Sequence, residues 1–112
     1  MEEEVRSMAN ARRKHYHLEY RNFGGSYRDV TDKNGNVKMF VGIQNARKGA
    51  AKFIKEHYGI MTVAVFGGRM VNPVAGVISK TKFGLEWIDY YHDNKRYHLN
   101  DDGTTDKWIE WK

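Results

Sequence analysis

The 112-residue chain has no cysteine and a single proline, Pro73. Without cysteine there are no disulfides and no thiolate metal sites, and the expected compartment is the cytoplasm. Long hydrophobic runs are missing as well. The densest, Ile60 to Phe66, is far too short to span a bilayer, so no membrane partner is expected. Glu2, Glu3 and Glu4 stand where a secretory leader would be basic. Phosphate-cradling loops are absent, since neither Gly24-Gly25 nor Gly67-Gly68 sits in a Walker or dinucleotide pattern. The only serines are Ser7, Ser26 and Ser79, none in a nucleophile-elbow context. These absences point away from an enzyme, a cofactor and a catalytic residue.

What is present is aromatic and basic. Aromatic residues make up 13% of the chain, and the 40% hydrophobic and 29% charged fractions are those of a folded protein. A chain of this length is read as one domain, 1–112, with 1–13 as an N-terminal extension or short frayed helix. Met8 opens a run that would itself serve as a protein start, so residues 1–7 are expected to be dispensable. The net charge of +5 is unevenly spread. Residues 12–69 hold twelve basic and four acidic residues, or +8, whereas 70–112 hold six and seven, or −1.

From Lys14 to Asn22, Tyr16, Leu18 and Tyr20 alternate with His15, His17, Glu19 and Arg21, the period of a half-exposed strand. A second strand is expected over 27–31. Asn34-Gly35 is a strong hairpin signal and predicts a returning strand over 37–43. Asn45 and Gly59 bracket a helix over 45–58 whose apolar stripe is Ala46, Ala50, Phe53, Ile54 and His57. Lys48, Lys52 and Lys55 form a basic stripe on another face. Ile60 to Phe66 reads as a central strand. Asn72-Pro73 predicts a short helix to about Lys80, with an extended reading kept open because of Gly76. Strands over 85–92, 96–100 and 107–111 complete a C-terminal meander. The expected class is α+β: a mixed or antiparallel sheet of about five or six strands with the 45–58 helix on one face.

The segment Ser26 to Ile54, with Asp32-Lys33-Asn34-Gly35-Asn36 and Ala46-Arg47-Lys48-Gly49-Ala50, resembles in pattern the AP2-like arm-binding domains of phage integrases. The resemblance implies three consecutive strands that enter a DNA groove, backed by one helix. It covers under half the chain, and Val41-Gly42-Ile43-Gln44 replaces the family's Gly-Phe-x-Thr lead-in. On those grounds no family is assigned.

The first functional expectation is a small non-catalytic nucleic-acid-binding protein, with DNA or RNA held through its phosphates. Arg12, Arg13, Lys14, Arg21, Arg28, Arg47, Lys48, Lys52 and Lys55 are the candidate phosphate contacts. Arg47 and Lys48, read as the first turn of the 45–58 helix, oppose its dipole unless an anion binds there. Tyr16, Tyr20 and Tyr27 interleave with these charges as base-stacking rings do, and Tyr16 and Tyr20 serve equally as the core side of their strand. The alternative is a phage-type accessory protein that inhibits a host nuclease, a host nucleoprotein complex or another defence complex. For a partner surface or homodimer the candidates are Trp87, Tyr91, Trp108 and Trp111. The third reading is a metal-independent ribonuclease using histidine with lysine or arginine. Of His15, His17, His57, His92 and His98, His15 and His17 share a strand face, but no carboxylate spacing completes a metal set, and none is expected.

Overall fold

The computed structural model describes residues 14–21, 25–67 and 73–107. The expected N-terminal helix, Arg12, Arg13, Asn72, Trp108 and Trp111 lie outside these residues. The architecture is one helix against an antiparallel sheet of eight strands: β1 His15–Arg21, β2 Tyr27–Asp29, β3 Met39–Val41, α1 Ile43–Glu56, β4 Thr62–Gly67, β5 Val74–Thr81, β6 Gly84–Asp89, β7 Lys95–Leu99 and β8 Thr105–Lys107. There are more strands than expected because residues 74–81, read first as a short helix, form β5, and the short β2, β3 and β8 all join the one sheet. The sheet order is β2-β1-β4-β5-β6-β7-β8, with β3 also on β1.

The alternation in β1 is realised as read. Tyr16 and Leu18 are buried, and Tyr20 packs on Phe53 of α1 at 4.9 Å between ring centroids. His17 and Glu19 face the other way and are half-buried.

The 31–37 hairpin forms, but with a different sequel. The Asp32 carboxylate accepts the amides of Asn34 and Asn36, Gly35 takes φ 83°, and Thr31 bridges Val37. The chain does not then return along β2. β2 covers only Glu19–Arg21 of β1, and β3 covers His15–His17 on the same edge. The two short strands thus satisfy between them an edge that β2 alone would leave half unpaired. The integrase-like arrangement is not formed: β1 is flanked by β2 and β3 on one side and by β4 on the other.

α1 begins two residues earlier than its sequence predicts. Gly42, at φ 86°, is the N-cap and gives no side-chain cap; the Asn45 amide instead donates to the Val41 carbonyl at 2.8 Å. Ala46, Ala50, Ala51 and Ile54 are buried against the sheet, while His57 stacks outside on Phe53 at 3.9 Å. The small face lets the helix lie close to β1, β3, β4 and β5. Gly49 lets the Phe40 ring lie directly against the helix, and a side-chain carbon there would displace that ring.

Residues 74–81 form a strand, not the short helix expected from Asn72-Pro73. β4 would otherwise expose a full row of unpaired backbone groups, and β5 pairs with it from Thr62 to Phe66 through one bulge. Ile78 and Gly76 face α1, opposite Val63 and Val65, and Trp87 of β6 lies directly against Gly76. Leu18, Val63, Val65, Ile78 and Trp87 are the largest fully buried side chains, so the core is the helix-facing side of the sheet. Each aliphatic member contributes about 1.5–3 kcal/mol by its burial.

The C-terminal meander β6–β7–β8 fits the expectation. Its last turn, 100–104, reaches back over the helix: Gln44 Nε2 donates to the Asp102 carbonyl at 3.2 Å and Arg47 Nε to the Gly103 carbonyl at 2.8 Å. The sheet therefore bends around α1 from β1 to the β7–β8 turn.

Candidate functional site: a basic edge and the cleft at its end

The seven candidate phosphate contacts among the described residues do not form one face. Lys48, Lys52 and Lys55 share the exposed side of α1, and each meets an acid. Lys55 Nζ pairs with Asp101, Lys52 Nζ lies 3.9 Å from Glu56, and Lys48 acts on Asp102. The Asp102 carboxyl is held below the usual carboxylate range, first by the Thr104 hydroxyl and then by the Thr104 amide, with Lys48 adding a smaller effect. Lys48, Ala51, Lys52, Lys55, Glu56 and Asp101 line a shallow groove of about 290 Å³.

Arg28 lies elsewhere, on β2 of the free edge made by β2 and β3, and Arg21, the last residue of β1, reaches Tyr27 of that edge. Arg21 sits 5.8 Å over the Tyr27 ring and donates Nε to the Gly25 carbonyl. Lys38 lies 5.6 Å over Phe40, and Lys33 sits at the tip of the 31–37 hairpin. Sequence reasoning gave Lys33 and Lys38 no role, although their place beside Asn-Gly put them on an exposed turn. None of Arg21, Arg28, Lys33 and Lys38 makes an ion pair among the described residues. The acids nearest in sequence are otherwise engaged, Asp29 with His17 and Asp32 within its own turn.

This edge ends at a cleft of about 340 Å³ at the head of α1. Lys14 marks the junction: its carbonyl accepts the Gly42 amide at 2.9 Å and the residue also lines the cleft. The other walls are Tyr16, Ile43, Arg47, Ala75, Trp87, Asp89, Tyr91 and His92. Arg47 lies in the second turn of α1, not the first. Helical side chains lean toward the N-terminus, which brings its guanidinium to the head of the helix. It packs 5.6 Å over the Trp87 ring.

Burial pulls the Arg47 pKa down, and Asp89, Tyr16 and Tyr97 oppose that pull. The group nonetheless remains a cation. No carboxylate lies within ion-pair distance of it among the described residues, and only its Nε is bonded. Asp89 is itself engaged, accepting the Tyr91 amide at 3.0 Å and His92 Nδ1 at 2.9 Å. Tyr91 donates its hydroxyl to the Gly67 carbonyl at 2.7 Å. Burial, and then Tyr91, raise the pKa of Tyr16 against the opposing pull of Arg47, so its hydroxyl stays protonated at neutral pH. The indole N–H of Trp87 is buried and has no acceptor among the described residues.

Trp87, expected at a partner surface, is 1% exposed and belongs to the core. Tyr91 faces the cleft. An apolar strip does cross the helix-free side of the sheet: by register Phe66, Ala64, Val77 and Ile88 share that side. His17 stacks there on Phe66 at 5.2 Å.

The same side brings together a donor set that spacing did not reveal. The ligating atoms of His17, Glu19 and Asp29 lie within 4.8 Å of one another. Glu19 follows His17 on one strand face, but Asp29 joins only through the β1–β2 register. This set suits a divalent cation in donor type. The pairing of His17 with both carboxylates, at 3.0 and 3.7 Å, also accounts for the cluster without one.

No helix among the described residues is long and apolar enough to cross a membrane. No protein-family model, curated protein or solved structure matches the chain.

Proposed function

We propose that this chain is a non-catalytic nucleic-acid-binding protein that holds a single strand along the β2–β3 edge, not along α1. One observation carries the reading. The edge cations lack acid partners among the described residues, and two of them lie over rings, Arg21 on Tyr27 and Lys38 on Phe40. Cations neutralise phosphates while exposed rings stack unpaired bases. Tyr27 is 53% exposed and available for this.

The test is fluorescence anisotropy with a single-stranded oligonucleotide across a salt series. The Arg28→Ala/Lys38→Ala double variant is expected to bind about tenfold more weakly. Its log–log salt slope falls by about 1.4, at roughly 0.7 for each phosphate no longer neutralised. Lys52→Ala/Lys55→Ala changes affinity by less than about twofold, because those charges are already compensated. No binding at low salt, or equal losses from the two variants, refutes the reading.

A second reading, the metal-independent ribonuclease, is favoured by His92. Its Nδ1 donates to Asp89, which leaves Nε2 free to take a proton in a cleft that also holds Arg47, Lys14 and Tyr16. Incubation of matched RNA and DNA with chelator decides the matter. Loss of RNA alone, abolished by His92→Ala, would replace binding with cleavage.

A further inference from the structure

We infer that the cleft at the head of α1 is a phosphate-monoester site that takes a nucleoside monophosphate, free or as the phosphorylated end of a strand. The nucleoside half rests on the nucleic-acid reading above, whereas the phosphate half stands on the cleft alone.

The donors exceed what a carboxylate can use. Arg47 has spent only Nε, so both terminal amino groups of its guanidinium are available. Lys14 brings an ammonium to the same cleft, and the Tyr16 hydroxyl has no acceptor among the described residues. Ile43, the first residue of α1, lines the cleft, and the helix has neither a side-chain cap nor an acidic residue in its first turn. Its leading amides have no acceptor among the described residues and can serve an anion. A phosphate monoester carries three terminal oxygens and close to two negative charges, matching this set.

The cleft's one carboxylate, Asp89, acts on Arg47 through space and offsets only part of the cleft's positive charge. Asp89 is held by the Tyr91 amide and the His92 ring, and it makes no ion pair with Arg47. Trp87 stiffens the wall on which Arg47 rests. A fully buried indole N–H without an acceptor costs about 1–3 kcal/mol. Trp87 lines the cleft, and its ring supports the Arg47 guanidinium. The aromatic walls suit a planar base, and about 340 Å³ falls within the range of small-molecule sites.

The experiment is calorimetric titration of the full chain with adenosine monophosphate, uridine monophosphate, adenosine, inorganic phosphate and acetate. Both nucleotides are expected to bind, inorganic phosphate more weakly, and adenosine and acetate at least about tenfold more weakly than the nucleotides. Arg47→Gln should weaken nucleotide binding about tenfold. Because Arg47 also braces Trp87 and Gly103, its melting curve is recorded beside the titration. The exposed Lys14→Ala variant gives an independent reading, with a loss of about threefold.

Oligonucleotides with and without a terminal phosphate separate the two sources. A preference for the phosphorylated end assigns the cleft to strands, and binding of free nucleotide alone assigns it to mononucleotides. Equal binding of adenosine and its monophosphate overturns the inference, as does nucleotide binding unchanged in a folded Arg47→Gln variant. The nucleic-acid reading fails separately: if oligonucleotides do not bind at low salt while monophosphates do, the edge loses its role and the cleft keeps its own.

Discussion

The exposed face of α1 and the free edge of the sheet carry similar numbers of cations, yet they are electrostatically different surfaces. On α1, Lys55 meets Asp101, Lys52 meets Glu56 and Lys48 lies near Asp102. On the edge, Arg28, Lys33 and Lys38 meet no acid among the described residues. Both surfaces belong to the +8 segment 12–69, so that count does not distinguish them. Compensation comes mostly from the turn 100–104, which is distant in sequence and folded onto the helix. Charge becomes a property of a surface only once the partners have been placed.

The comparison breaks most severely if the turn is detached. Gly103 takes φ 87° and is buried against the helix, where a side-chain carbon would collide with the Gln44 carbonyl. Gly103→Ala therefore meets both backbone strain and overpacking, and the expected loss of stability is about 2–3 kcal/mol in a urea melt. The folded fraction should also bind oligonucleotide more tightly through the freed lysines of α1. Wild-type stability in this variant would mean that the turn is not anchored as described.

Much of the fold is legible in the sequence, and what is not legible has identifiable causes. Tyr16, Leu18 and Tyr20 announce β1 because one face of that strand meets the helix and the other does not. Asn34-Gly35 announces the hairpin because its chemistry is local. The place of β3 is not announced, since it depends on how much of the β1 edge β2 leaves unpaired. Residues 74–81 mislead in the same way: Pro73 is a good local start for a helix, but the need of β4 for a partner prevails.

The site follows that division. Arg21, Tyr27 and Arg28 are visible as a pattern. Arg47 is visible as a cation at a helix N-terminus that an anion would offset, but not as the centre of a cleft, because Trp87, Asp89 and Gly103 come from the other half of the chain. The His17–Glu19–Asp29 cluster needs the β1–β2 register to bring in its third member.

A milder intervention keeps the turn in place and removes only its charge. Asp101→Asn with Asp102→Asn leaves Gly103 packed on the helix and takes two acids from beside Lys48 and Lys55. Affinity for a single-stranded oligonucleotide at low salt should rise about threefold, and added salt should erase the gain as screening shortens the reach of the freed charges. The corresponding change at the edge, Asp29→Asn, should have less effect, since Asp29 is paired to His17 and not to the edge cations. Equal gains from the two substitutions would show that the edge is compensated as well.

The smallest effect is the dependence on pH, and its sign follows from Asp102. Bonds from the Thr104 hydroxyl and amide hold its folded pKa below the unfolded value. The stability it contributes is therefore fully present above the ordinary carboxylate range and is lost as pH falls through the depressed folded value. Across the same window Lys48 loses its compensating charge. Oligonucleotide binding by a variant lacking Arg28 and Lys38 should thus stay flat from neutral pH down to the carboxylate range and rise below it. Adding Asp102→Asn should flatten that rise. A rise of equal size with and without Asp102→Asn would assign the effect to other carboxylates.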